Sequence, residues 1–266
     1  MKRNAVYMII ISLLMFVVVL LYMPFIEVKS DHRTEKSGDT GFIEKPFAAA
    51  WIPQKQENMP LNAEVQSKMI DAPLLCQNPD YPSGCEAVAA VMDLRYFGFN
   101  ISVDTFIRDY LPLGTAPYEK DGVWYSADPD EAFLGSPGSE SGMGIWAPGL
   151  ASALEGVPGT KKFTVFYTYS KTLDALCRQY IVNDIPVIVW VTQNMEEPFM
   201  SLTATVEDSE KTFTWMSPNH CMLLVGFDEN DYYFNDPMTG ETRRYGREES
   251  EKAFRGNGSQ AVIISK

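Results

Sequence analysis

SGCEAVAAVMDLRYFGF, residues 83–99, is the stretch on which the fold turns. Ser83 and Glu86 have the S-x-x-E spacing of a capping box, which predicts Ser83 as N-cap and Cys85 in the first helical turn. Ala87, Val88, Ala90, Val91, Met92 and Leu94 cover most of the circumference. A helix apolar on nearly every side is central and buried, not a surface helix. Gly98 is placed to end it. A thiol at a helix start faces unsatisfied amide N–H groups and the positive end of the macrodipole, and both favour the nucleophilic thiolate. Glu86 beside it opposes this unless its carboxylate turns back into the capping box. Taken alone, Cys85 reads equally well as a small residue filling helix packing.

Outward from this helix, VDTFIRDYL predicts a second, starting near Ser102. A third is expected from Ala147 to Leu154, and TLDALCRQYIV predicts a fourth. The period then changes. FTVFYTY (163–169) and PVIVWVTQ (186–193) read as strands, the latter apolar enough to be central. SLTATV and KTFTWM alternate around EDSE as a hairpin, and HCMLLVGFD with DYYFNDP forms another, turning at Glu229-Asn230. QAVIIS supplies a last strand. Helices followed by antiparallel strands indicate an α+β domain.

The amino-terminal end is different in kind. Lys2 and Arg3 precede an apolar run from Ala5 to Ile26. At helical rise this spans roughly 33 Å, enough for a hydrocarbon core of about 30 Å. The expected organisation is a cytoplasmic tip (1–4), a transmembrane anchor (5–26), an extracytoplasmic tether (27–68) and a domain from 69 to 266. The basic flank keeps the tip in the cytoplasm and places the domain outside. A cleaved signal peptide is the alternative, but the run is long and ends in YMPFIEVKS without an A-x-A pattern. The tether mixes charge, Gly, Pro and Gln without periodicity. Its exception, FAAAWI at 47–52, is apolar enough to dock on the domain.

The chain of 266 residues has a formal net charge of −13. That argues against nucleic acid, whose phosphates require basic patches, and against docking on anionic lipid through a basic surface. Cys76, Cys85, Cys177 and Cys221 allow two disulfides in three connectivities, which an exported protein permits. A domain of this size does not need them. His220 and Cys221, adjacent on a strand, point to opposite faces and do not make a zinc site.

Histidine supply narrows the chemistry. His32 lies in the tether, so imidazole chemistry in the domain rests on His220, which opens an apolar strand after MSPN. A lone histidine there would otherwise simply cap a sheet edge. Asp236 follows sixteen residues later, past one hairpin turn, where it can lie beside His220 and orient the ring. Asn235 points the other way and would replace it only after a register slip.

Taken together, LLCQNPDYPSGCEAVAAVM, GSPGSESGMGIWAPGLASAL, PVIVWV and NHCMLLVGFDENDYYFNDP resemble segments of the bacteriocin-processing cysteine peptidases. These form family 39 of the cysteine peptidases, within the papain-like superfamily. The chain is most similar to stand-alone, exported members from Gram-positive bacteria, over roughly residues 70–240. The resemblance implies a papain-like fold, with a nucleophile helix packed on an antiparallel sheet. It implies Cys85 as nucleophile, His220 as general base, Asp236 as the residue that orients it, and Gln77 as the oxyanion-hole glutamine. Gln77 alone would read as a polar loop residue. No metal or cofactor is implied, and the expected partner is a peptide or protein substrate.

The sequence departs from transporter-linked relatives: no P-loop and no further apolar span appear in it, which puts their double-glycine cleavage preference in doubt. GSPGSESGMG reads as a long surface loop, with the Gly and Ser content of a lid over a cleft. Two other functions remain open. One is an amide hydrolase or acyltransferase acting on cell-wall peptides. The other is a catalytically silent, tethered peptide-binding module.

Overall fold

The computed structural model describes residues 60–62 and 64–266. The expected tip and anchor, and most of the expected tether, lie outside these residues. Among the described ones, no helix is long and apolar enough to cross a membrane.

The predicted central helix is α1, Cys85–Tyr96, and every residue from Cys85 to Leu94 is buried. Each fully buried Val, Leu or Met on it contributes about 1.5–3 kcal/mol relative to exposure. Gly98, at φ +89°, follows the helix end as its position predicts.

The start of α1 corrects the sequence reading by one residue. Gly84 occupies the cap position, and no side chain caps the helix. The Ser83 hydroxyl instead donates to the carbonyl of Ser139, and the Ser83 N–H donates to Pro137 O at 3.2 Å. Glycine is needed at 84 because a Cβ there would lie 2.7 Å from Cβ of Tyr81. Glu86 therefore falls at the second helical position, one short of the third position that a capping box uses. The predicted box does not form.

The other predicted helices are present. In α2 (Val103–Asp109) the Ser102 hydroxyl accepts from Thr105 N–H at 3.1 Å. The third, α3, spans Ala147–Glu155, and α4 (Leu173–Gln179) is capped by Thr172 in the same way as α2. A fifth helix, α5 (Arg247–Gly256), is not among the predictions.

Thirteen strands occur among the described residues. They are β1 (Lys68–Met69), β2 (Leu113–Gly114), β3 (Tyr118–Lys120), β4 (Val123–Ser126), β5 (Phe133–Leu134), β6 (Thr164–Thr168) and β7 (Val187–Thr192). Then come β8 (Phe199–Val206), β9 (Thr212–Ser217), β10 (Asn219–Phe227), β11 (Asp231–Asp236), β12 (Glu241–Gly246) and β13 (Ala261–Ser265). Seven of them build one antiparallel sheet in the order β12-β11-β10-β7-β13-β6, with β1 paired to the far end of β10. A second sheet, β3-β4-β8-β9, carries the predicted β8–β9 hairpin, and β2 pairs with β5. The predicted β10–β11 hairpin also forms, closed across Glu229-Asn230 by Asp228 N–H donating to Asp231 O at 3.0 Å.

Three features position the site. The buried helix α1 packs on β10 and β7, the middle of the large sheet. Strand β9 of the small sheet runs almost directly into β10. The Gly/Ser loop at 135–144 is closed by an antiparallel bridge between Leu134 and Gly144, and it is seated on Ser83. It is not a free flap. The chain is also fastened to the domain before residue 69. Asn62 N–H donates to Arg178 O at 3.1 Å, Arg178 Nη1 donates to Val65 O at 3.0 Å, and Lys68 pairs with Asp184 at 2.7 Å.

Candidate active site

Cys85 is the first residue of α1 and is 8% exposed. Its sulfur lies 3.3 Å from Oε2 of Glu86 and faces the peptide N–H of Cys221, the residue after His220. The structure thus brings the helix start to the beginning of β10, across 135 residues of chain. The electrostatics correct a simple helix-start argument. Burial pushes the thiol well above its ordinary value, and the Glu86 carboxylate pushes in the same direction. The N–H groups of Cys221 and Glu86 pull it down by less. Desolvation outweighs the helix N-terminus here.

The His220 ring is held from behind. Its Nε2 lies 2.7 Å from Oδ1 of Asp236, with both side chains almost fully buried. In the β10–β11 ladder Leu223 pairs with Asn235, which sets His220 and Asp236 as diagonal neighbours on one face. Asp236 also accepts from Met238 N–H at 2.9 Å. Burial alone would raise its carboxyl, yet the bonds from His220, Met238 and Thr239 hold it below the usual value. With Nε2 engaged, Nδ1 of His220 is buried and has no hydrogen-bond partner among the described residues. Asn235 does turn away: its amide donates to Ala72 O and Pro73 O at 3.1 and 3.2 Å.

Gln77 is 2% exposed, not a solvated loop residue. Its backbone N–H donates to Pro237 O at 2.7 Å, which ties it to the residue after Asp236. Its side-chain Nε2 donates to Pro82 O at 2.8 Å, three residues before Cys85. An amide nitrogen carries two donors, so one stays available. Backbone contacts therefore gather Gln77, Asp236 and the approach to Cys85 at one place in the fold.

The sequence reading missed the environment of Glu86. The side chain is wholly buried, next to the Cys85 sulfur, and is faced by the N–H of Ile145 and the indole of Trp190. A Cβ at Gly144, whose φ is +127°, would collide with Oε1 of Glu86. The available signal was Gly144, near the end of an otherwise polar loop. Trp190 and Trp215 are both buried, Trp190 donating to Ile145 O at 3.1 Å and Trp215 stacking on Trp146. All four cysteines are free thiols, with Cys177 and Cys221 in the core and Cys76 exposed.

Comparison with known proteins agrees with this architecture. The chain is 28% identical over 220 residues to the uncharacterised protein YvpB of Bacillus subtilis, a match covering 78% of this chain and 76% of YvpB. Its structure resembles a crystal structure assigned to a C39-like peptidase of Bacillus anthracis. The TM-score is 0.64 at 20% identity, over 76% of this chain and 98% of that one. That likeness shows the fold, a mixed α+β architecture of the C39-like peptidase kind. The model of the Peptidase_C39-like family matches residues 69–262, most of the chain, and this range includes Gln77, Cys85, His220 and Asp236. The chain belongs to the Peptidase_C39-like family.

Proposed function

We propose that this protein is a thiol peptidase that hydrolyses peptide bonds through Cys85, His220 and Asp236. The observation that carries this reading is the buried His220–Asp236 bond on a strand whose next residue, Cys221, turns its N–H to the sulfur of Cys85. The Cys85 sulfur gives up its proton to His220 and attacks the scissile carbonyl carbon. Oxygen takes up the negative charge, held by the Cys85 N–H and the free donor of Gln77. His220 returns the proton to the leaving amine, the C–N bond breaks, and a thioester remains on Cys85. Water, deprotonated by His220, then hydrolyses the thioester and frees the thiol. Asp236 keeps the ring oriented throughout, with Nε2 turned towards it and Nδ1 left to carry the proton.

The test is incubation of the full-length protein with a broad set of unfolded proteins, followed by sequencing of new amino termini by mass spectrometry. New termini made by the wild type and not by Cys85→Ala support hydrolysis. Amine adducts without new termini would point to acyl transfer, and neither product would favour a peptide-binding module. Within the peptidase reading, Gln77→Ala lowers kcat by about 10²–10³ while the protein stays folded. Unchanged turnover in Gln77→Ala would remove that residue from the oxyanion site.

We place the domain outside the cytoplasm, on the strength of the apolar run at 5–26 and its basic flank. Cys76 is the exposed thiol of the domain. A membrane-impermeant maleimide added to intact cells is expected to label it. Labelling that appears only after lysis would put the domain on the cytoplasmic side.

A further inference from the structure

The contact between Cys85 and Glu86 is unusual for a nucleophile. The thiol donates to a carboxyl oxygen, while Nδ1 of His220 is unpartnered among the described residues. Glu86 is 0% exposed, and its second oxygen, Oε1, has no hydrogen-bond partner. An unpaired, buried carboxylate is costly, and such a group normally stays neutral. The space for it is built in, since Gly144 has no Cβ to occupy it, and the Ile145 N–H and the Trp190 indole ring lie around it.

We propose that Glu86 is a positioning residue for Cys85: its ionised carboxylate accepts from the thiol and holds it protonated, and protonation of the carboxyl releases the sulfur from that hold. This rests on the peptidase reading above. The titratable groups around the carboxyl are few. Cys85 lies on its own helix, Cys221 and His220 are adjacent on β10, and Asp236 stands behind His220 on β11. From β7 it meets the Trp190 indole, and from the loop the backbone of Gly144 and Ile145.

The sign follows from the burial. Desolvation pushes the Glu86 carboxyl up to about 7, so it is neutral below that pH and charged above it. Once charged, it adds to the burial that already raises the Cys85 thiol. The thiolate fraction of Cys85 still rises with pH, but above about 7 the charged Glu86 should make that rise shallower than in a chain without the carboxylate.

The experiment measures the rate of Cys85 alkylation by iodoacetamide from pH 5 to 9, read by peptide mass spectrometry. It uses full-length protein in detergent, as wild type and as Glu86→Gln. Glutamine keeps a donor beside the sulfur and cannot ionise. The expected ratio of mutant to wild-type rates is near one at pH 5.5 and rises to about tenfold or more by pH 8. Parallel profiles in the two chains would overturn the role of Glu86 and leave the peptidase reading intact. A Cys85 inert in both folded chains at every pH would defeat that reading, and the proposal with it. Should Glu86→Gln not fold, Glu86→Met serves instead, since it keeps the length of the side chain and cannot ionise. The same rise in the ratio above about pH 7 is expected, and a ratio that stays flat overturns the proposal.

Discussion

Cys85→Ala is expected to lower peptide-bond turnover by about 10⁶, to background. In the proposed mechanism Cys85 supplies the atom that bonds to the substrate, and no other described cysteine is placed to replace it. Cys177 and Cys221 are sealed in the core, and Cys76 contacts Met238 on a different segment. Stability should change little. The side chain is small, and its removal also takes away the sulfur that crowds Glu86. Urea unfolding of the variant should stay within about 1 kcal/mol of wild type, since replacing cysteine by alanine leaves only a small cavity. A variant that is folded yet still cleaves at more than a hundredth of the wild-type rate would put the nucleophile elsewhere.

His220→Ala is expected to cost nearly as much, and the double variant with Cys85→Ala should lose nothing further. Groups that act as a unit are non-additive, because removal of either partner stops the same step. His220 is the one histidine of the domain, so no second imidazole can take over the proton. The variant also takes one donor from Asp236, whose carboxyl the ring helps to hold low, while Met238 N–H still donates to it. Losing a hydrogen bond to a charged group costs about 1.5–3 kcal/mol. A thermal midpoint lower than that of wild type should therefore accompany the lost activity. Single and double variants assayed on the same peptide, with melting curves for each, check both statements.

The framework of this fold was legible wherever apolar residues set the period. The all-round apolar pattern of Ala87–Leu94 could belong only to a central helix, and PVIVWV only to a central strand. His220 and Asp236 could be paired because side-chain alternation across a short hairpin leaves few registers open. The errors lie where a local rule competed with tertiary contacts. Ser83 has the residue type of an N-cap, but the loop at 135–144 claims its hydroxyl, and the tight approach of Tyr81 moves the cap to Gly84. That one-residue shift carried Glu86 from the solvent side of a capping box into the buried site.

Other elements were hidden by polarity. In α5, REESEKAFRG buries only Ser250, Ala253 and Phe254, too few to reveal a helix period. In β12, the edge strand of the large sheet, Arg243 and Arg244 lie at its centre and conceal the alternation. The β3–β4 hairpin did have a signal. Asp121-Gly122, with φ of +53° and +80°, is an Asp-Gly turn between YEK and VWY, the dipeptide that favours such hairpins.

The closed state of the thiol follows from the same architecture. A helix buried on all sides places its first residue deep as well, so desolvation opposes the helix dipole at the one position where function needs a thiolate. In the proposed reaction a substrate has to open or rewet this start of α1, where the loop at 135–144 is seated on Ser83.

The most direct test of the central claim is brief labelling of the full-length protein with limiting iodoacetamide near pH 6, compared between wild type and His220→Ala and resolved by site. The account predicts that Cys85 is modified ahead of Cys177 and Cys221 in the wild type, and that its labelling collapses in the variant. Equal labelling of Cys85 in both, with the fold intact, would contradict a histidine-activated nucleophile.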